Sequence, residues 1–237
     1  MRLRSILSAS AAVVVITGSA APSAQAYDRE TYEYAAGHMI DVQDIPQSLG
    51  TFDARLDFGA SRAYSTFLCY VPSPEPDSDG LDVKVGKSKY QFSATYSSKK
   101  DDGPSVGVQV WQYANSGEAI KGFNTLKKQS KKCNGAGSST WTEDDGTEYT
   151  NSWNVSTSTV PGVAVAGVAS IGITQDNLST NSTSDDKYLN DNYTVYTLVN
   201  DAVIQTSYFA NGPKNLTKAQ RKAVNQVAFN AITEWVN

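Results

Sequence analysis

Apolar and polar residues alternate with a period of two through the middle of this chain, and with the period of a helix on either side of that pattern. Tyr90, Phe92, Ala94 and Tyr96 alternate with polar neighbours, and Val106, Val108 and Val110 do so again after the turn from Lys99 to Pro104. That spacing predicts a β-hairpin with one buried face. A second hairpin is predicted from Ser139 to Thr142 and Tyr149 to Ser156, which flank the acidic turn Glu143-Asp144-Asp145-Gly146. A third runs from Tyr193 to Val199 and Val203 to Phe209, around Asn200-Asp201. Val163 to Thr174 is apolar and glycine-rich enough for a central strand, and Tyr64 to Val71 predicts an early strand holding Cys69. The polar, low-complexity stretch from Asn177 to Asp186 reads as a loop with little reason to order.

Helical spacing is clearest after Asn115, an N-cap residue with Glu118 three positions on. Ala119, Ile120, Phe123, Leu126, Ser130 and Cys133 then share one face, and Asn134-Gly135 stops the helix. Thr217 to Gln220 is a second capping box, opening a helix striped by Ala223, Val224, Val227, Ala228, Ala231, Ile232 and Trp235. A short helix within Tyr27 to Ile40 and one helical turn in Asp44 to Gly50 are weaker expectations of the same kind, and Pro72 to Gly80 reads as a surface loop. The fold class expected is α+β: a single domain with an antiparallel sheet of about six strands, the middle helix and the C-terminal amphipathic helix packed on it.

The first 26 residues change the picture of where this domain works. Arg2 and Arg4, the apolar run Ala11 to Ile16 and the small-residue ending Ala24-Gln25-Ala26 have the three zones of a secretory signal, with cleavage expected before Tyr27. Residues 27–237 are then one domain, without a further stretch near the ~20 apolar residues of a membrane span. The residue directly after the cleavage site is Tyr27 and not a cysteine, so no lipid anchor is expected, and the protein should be secreted or held at a bacterial cell envelope. Without the signal, 18 Lys and Arg face 24 Asp and Glu, a net charge of −6. Nucleic acid and anionic membrane both want a concentrated positive field and are poor partners for such a chain. A monomer is expected.

Candidate chemistry narrows the function by elimination. The single histidine, His38, has no Gly-x-Ser-x-Gly elbow to serve, and one histidine with two remote cysteines does not make an ordinary zinc site. Asp77, Asp79 and Asp82 lack the spacing and closing glutamate of a calcium loop. Ser97 to Lys100 and Ser184 to Lys187 match Ser-x-x-Lys without its companion elements. Glu118, Glu143 and Glu148 are available for hydrolysis, yet nothing pairs any two acids. Lys127, Lys128, Lys131 and Lys132 complement the negative end of the middle helix. No cofactor or metal is expected. Tyr96, Trp111, Tyr113, Trp141, Tyr149 and Trp153 fall on or beside strands, and any exposed subset would suit a sugar or an extended peptide. In an oxidising compartment Cys69 and Cys133 pair by default, the alternative being two buried thiols.

Several of these segments, in this order, resemble the extracellular sensor-like domain family of the mycobacterial kinase PknH, which also occurs in secreted and lipid-anchored actinobacterial proteins. They are Asp44 to Gly50, Cys69, Val108 to Tyr113, the helix from Ser116 to Cys133, and the strand and helix from Val203 to Trp235. The resemblance covers most of residues 40–237. It implies a Cys69–Cys133 bridge, an open cleft for an envelope ligand, and no catalytic residues. The chain lacks the second cysteine pair, kinase domain and membrane anchor of the kinase-linked members. The expected function is therefore non-catalytic binding of an envelope, glycan or small-molecule ligand. The alternatives are a secreted carboxylate-based hydrolase and a surface interaction or inhibitor module.

Overall fold

A computed structural model describes residues 29–59, 64–69, 80–100, 103–165, 168–211 and 215–237. The expected signal peptide, most of the Pro72 to Gly80 loop, and Asp77 and Asp79 lie outside them. Among the described residues ten strands form: β1 (Phe52–Gly59), β2 (Tyr64–Cys69), β3 (Leu81–Gly86), β4 (Tyr90–Ser98), β5 (Ser105–Gln112), β6 (Gly135–Thr142), β7 (Glu148–Val165), β8 (Val168–Asn181), β9 (Ser184–Val199) and β10 (Ala202–Asn211). Three helices accompany them: α1 (Arg29–His38), α2 (Ser116–Ser130) and α3 (Lys218–Val236). Short 3-10 turns at Val42–Asp44 and Gln47–Leu49 replace the single turn expected from Asp44 to Gly50. A third, Lys131–Cys133, carries Cys133 just beyond α2.

The main sheet has eight antiparallel strands, not about six, in the order β1-β4-β5-β10-β9-β8-β7-β6, and β2-β3 is a separate ribbon. The strand of this sheet that the sequence pattern did not announce is β1, and the polar strands differ from expectation in length. Asn177 to Asp186, expected as a loop, instead ends β8 and begins β9, and β7, β8 and β9 run for 18, 14 and 16 residues. Asn181 closes their hairpin by accepting from the backbone N–H groups of Thr183 and Ser184 at 3.0 and 2.7 Å. A neutral Ser/Thr/Asn strand pairs through its backbone whether or not its side chains are greasy, so polarity alone did not forbid it.

Period-two alternation then supplies two cores, one on each face of the sheet. On one face Phe92, Ala94, Tyr96, Val106, Val108, Val110, Ile204 and Tyr208 pack under α3, with Val224, Val227, Ile232 and Trp235 above them. Tyr96 and Tyr208 donate their hydroxyls to the carbonyls of Ile40 and Leu49, which ties the N-terminal turns to this core. On the other face Trp111, Tyr196, Ile171, Ile173, Trp153 and Val155 pack under α2 and the β2-β3 ribbon. The Cys69–Cys133 disulfide joins ribbon to helix end across 64 residues. Gly122 permits the closest part of that contact: a Cβ there would lie 2.5 Å from Tyr113 Oη and 2.8 Å from the Val85 carbonyl oxygen. Among the described residues no helix is long and apolar enough to cross a membrane.

One buried carboxylate organises the start of α3. Asp191 is 1% exposed and spends both oxygens on backbone, accepting from Asn177 N–H at 3.3 Å and Leu216 N–H at 2.9 Å. Burial, helped by the neighbouring Asp176, pushes its pKa above the ordinary aspartate value.

Two measurements check this packing. Gly122→Ala should destabilise the fold by about 1–3 kcal/mol through overpacking, seen as an earlier denaturation midpoint; an unmoved midpoint would show that α2 and β3 have room. A raised folded-state pKa means that Asp191 contributes most at acid pH and loses that contribution as pH rises through its pKa. The stability of Asp191→Asn relative to wild type should therefore increase as pH climbs from below 3.8 toward neutrality, whatever its fixed offset. A constant difference would contradict the assigned shift.

Candidate functional site

Half of the α2 face of the sheet is not greasy. The register aligns Ser93 with Gln109, Gln109 with Gln205, and Gln205 with Tyr196. The next row is Thr95, Gly107, Ser207, Thr194 and Ile173, followed by Ser97, Ser105, Phe209, Asn192 and Gln175. Paired residues of an antiparallel ladder share a face, so strands β4, β5, β10, β9 and β8 together present a floor of amides and hydroxyls beside the apolar patch under α2. The floor carries no charged side chain until β1, where Asp53 and Arg55 lie opposite Ser97 and Thr95.

Several of these groups are enclosed. Gln175 is 1% exposed and donates Nε2–H to Asn177 Oδ1 at 3.1 Å, while Asn177 donates Nδ2–H to the Asn190 carbonyl at 2.7 Å. Ser207 and Thr194 are buried, and Ser207 donates to the Gly107 carbonyl at 3.4 Å. Gln205 Oε1 is buried with no donor among the described residues. A buried carbonyl left without a donor costs ~1–3 kcal/mol, so a ligand hydroxyl would satisfy Gln205 Oε1 once the side chain turned it outward. Phe209 on the floor is exposed, whereas Ile173 and Tyr196 in the neighbouring rows are buried. Chemically, such a surface can bind a neutral polyhydroxylated molecule by hydrogen bonds and apolar contact.

The aromatic residues singled out in the sequence divide sharply. Tyr96, Trp111, Tyr113 and Trp153 are buried in the two cores. Tyr113 donates its hydroxyl to the Val85 carbonyl at 3.2 Å, and burial pushes its pKa up to about 12. The Trp153 indole lies over Gly137, where an added Cβ would sit 2.7 Å from it. Trp141 and Tyr149 instead face each other across β6 and β7 at the far end of the sheet, with ring centroids 5.5 Å apart and planes 12° from parallel. Trp141 is exposed and donates Nε1–H to Glu143 at 3.1 Å. The structure thus separates these two from the polar floor by several residues of strand.

The other sequence candidates are dispersed. His38 stacks on Tyr34 and bonds to its carbonyl through Nδ1 at 2.6 Å, on a helix packed against α3. The four lysines after Leu126 are exposed. Asp176 and Asp191 lie side by side on β8 and β9, but on the α3 face, with Asp191 already committed to two amides. The floor itself was not among the residues singled out, although its signal was present. Ser93, Thr95, Gln109, Gln205 and Ser207 are the polar half of the very alternation that predicts the strands.

No protein-family model matches the chain, and no curated protein matches it. Its fold is similar to that in the crystal structure of the extracellular domain of PknH from Mycobacterium tuberculosis, with a TM-score of 0.52 and 11% sequence identity. The match covers 85% of this chain and 94% of that domain. At that identity the likeness is one of fold, and in this chain the fold is stapled by one disulfide.

Proposed function

We propose that this protein is an exported binding domain of a bacterial cell envelope, without catalytic activity, whose polar floor takes a neutral polyhydroxylated ligand such as a cell-wall glycan. The observation that carries the reading is the uncharged continuity of that floor across five strands, from Ser93 and Gln109 through Gln205 and Thr194 to Gln175. A sugar ring offers matching donors and acceptors on its rim and an apolar face for Phe209. The likeness to an extracellular domain, the disulfide, and the secretory pattern of residues 1–26 all support an extracytoplasmic site of action. A charged ligand is disfavoured because burying it on this floor would leave its charge unpaired.

Titration with oligosaccharides released from bacterial envelopes should raise the melting temperature of the purified domain. Gln205→Ala and Gln109→Ala should each weaken the binding about tenfold, the effect of one lost enclosed hydrogen bond. Affinity should change little with ionic strength, since no ion pair forms. A broad neutral glycan panel without a shift, or a steep salt dependence, would contradict the proposal.

A further inference from the structure

The two edges of the main sheet are protected very differently. At one edge β1 carries exposed Asp53 and Arg55, and Asp53 pairs with Lys99 at 3.2 Å. Charges of this kind discourage a second strand from adding to an edge. At the other edge β6 reads Gly-Ala-Gly-Ser-Ser-Thr-Trp-Thr, without a charge, a proline or a register shift against β7. Its residues are half-buried or exposed along their whole length, and Trp141 stands at its end with 44% of its surface exposed. A straight, neutral edge ending in an exposed tryptophan is an invitation to pair.

We propose that β6 is a self-association edge, and that two copies of this chain join through antiparallel β6–β6 pairing into one continuous sheet. The chemistry of the strand selects a second copy as occupant. An antiparallel pair of identical strands is related by a two-fold axis perpendicular to the sheet, and paired residues share a face. Gly135, Gly137, Ser139 and Trp141 lie on the α2 face of β6. Only two symmetric registers then overlap nearly the full strand, one centred on Ser138 and one on Ser139. The first sets Trp141 opposite Gly135 of the other copy, and the second sets it opposite Gly137. In both, the one bulky side chain of the edge meets a residue with no side chain, and no like charges face each other. In the second register the incoming indole also reaches Trp153, which lies over Gly137. This departs from the monomer expected from the sequence. It stands whether or not the polar floor binds glycan, although the axis would put both floors on the same side of one sheet, where a repeating ligand could engage them together.

Sedimentation equilibrium on the whole domain, from micromolar to submillimolar concentration, should show a monomer–dimer equilibrium. Ser138→Lys and Ser139→Lys would bring two ammonium groups together near the axis, and at least one should weaken the dimer about tenfold or more. Single Ser138→Cys and Ser139→Cys variants test the same geometry in chains whose fold is checked by circular dichroism. One of the two should form an inter-chain disulfide, and Ala54→Cys on β1 should not. A monomer over the whole range, or a dimer indifferent to both lysine variants and trapped by neither cysteine, would overturn the proposal.

Discussion

The strand Ala202–Asn211 sits in the middle of the main sheet, and the rest of the structure depends on its two-sided alternation. Ile204 and Tyr208 look into the core beneath α3, while Val203 looks into the core beneath α2. Its neighbours β5 and β9 obey the same parity through eight and ten paired residues, without a shift in register. A slip of one residue would exchange every side chain between faces and put the glutamines into the greasy layer. Burial on both sides therefore fixes the register, and the register in turn lines up the polar residues that no core requires.

The same face shows why the staple sits where it does. The β2-β3 ribbon is too small to be stable alone, since two strands lack a core of their own. It is held by α2, by the close approach at Gly122, and by Cys69–Cys133. In the chain-entropy picture, closing that loop of 64 residues contributes ~4 kcal/mol, a sizeable part of a domain's ~5–15 kcal/mol. The ribbon and helix cover one part of the α2 face and leave the Ser, Thr, Asn and Gln rows beside them. The staple thus defines the margin of the candidate site without contributing a group to it.

Much of the fold was legible in the residues. The valines of β5, the caps at Asn115 and Thr217, and the stripe from Ala223 to Trp235 each announce one element, because burial of apolar area dominates their placement. The polar continuation of β8 and β9 through Asn177 to Asp186 was not, since it is held by backbone ladders and an Asn181 turn, neither of which has an apolar period. Of the aromatic residues that the sequence singles out, Trp111 and Trp153 lie in the core, and Ser207, on the polar half of the alternation, is buried as well. Strand order made the difference, because β10 lies between β5 and β9 only after a crossover that local spacing does not reveal.

The central claim is that the polar half of this alternation is a binding surface and more than a wetted back. Backbone amide chemical shifts of the labelled domain, followed during titration with neutral envelope oligosaccharides, test it most directly. The account predicts saturable shifts concentrated at Ser93, Gln109, Gln205, Ser207 and Thr194, with α3 unaffected. Shifts confined to other surfaces, or none at saturating ligand, would contradict it.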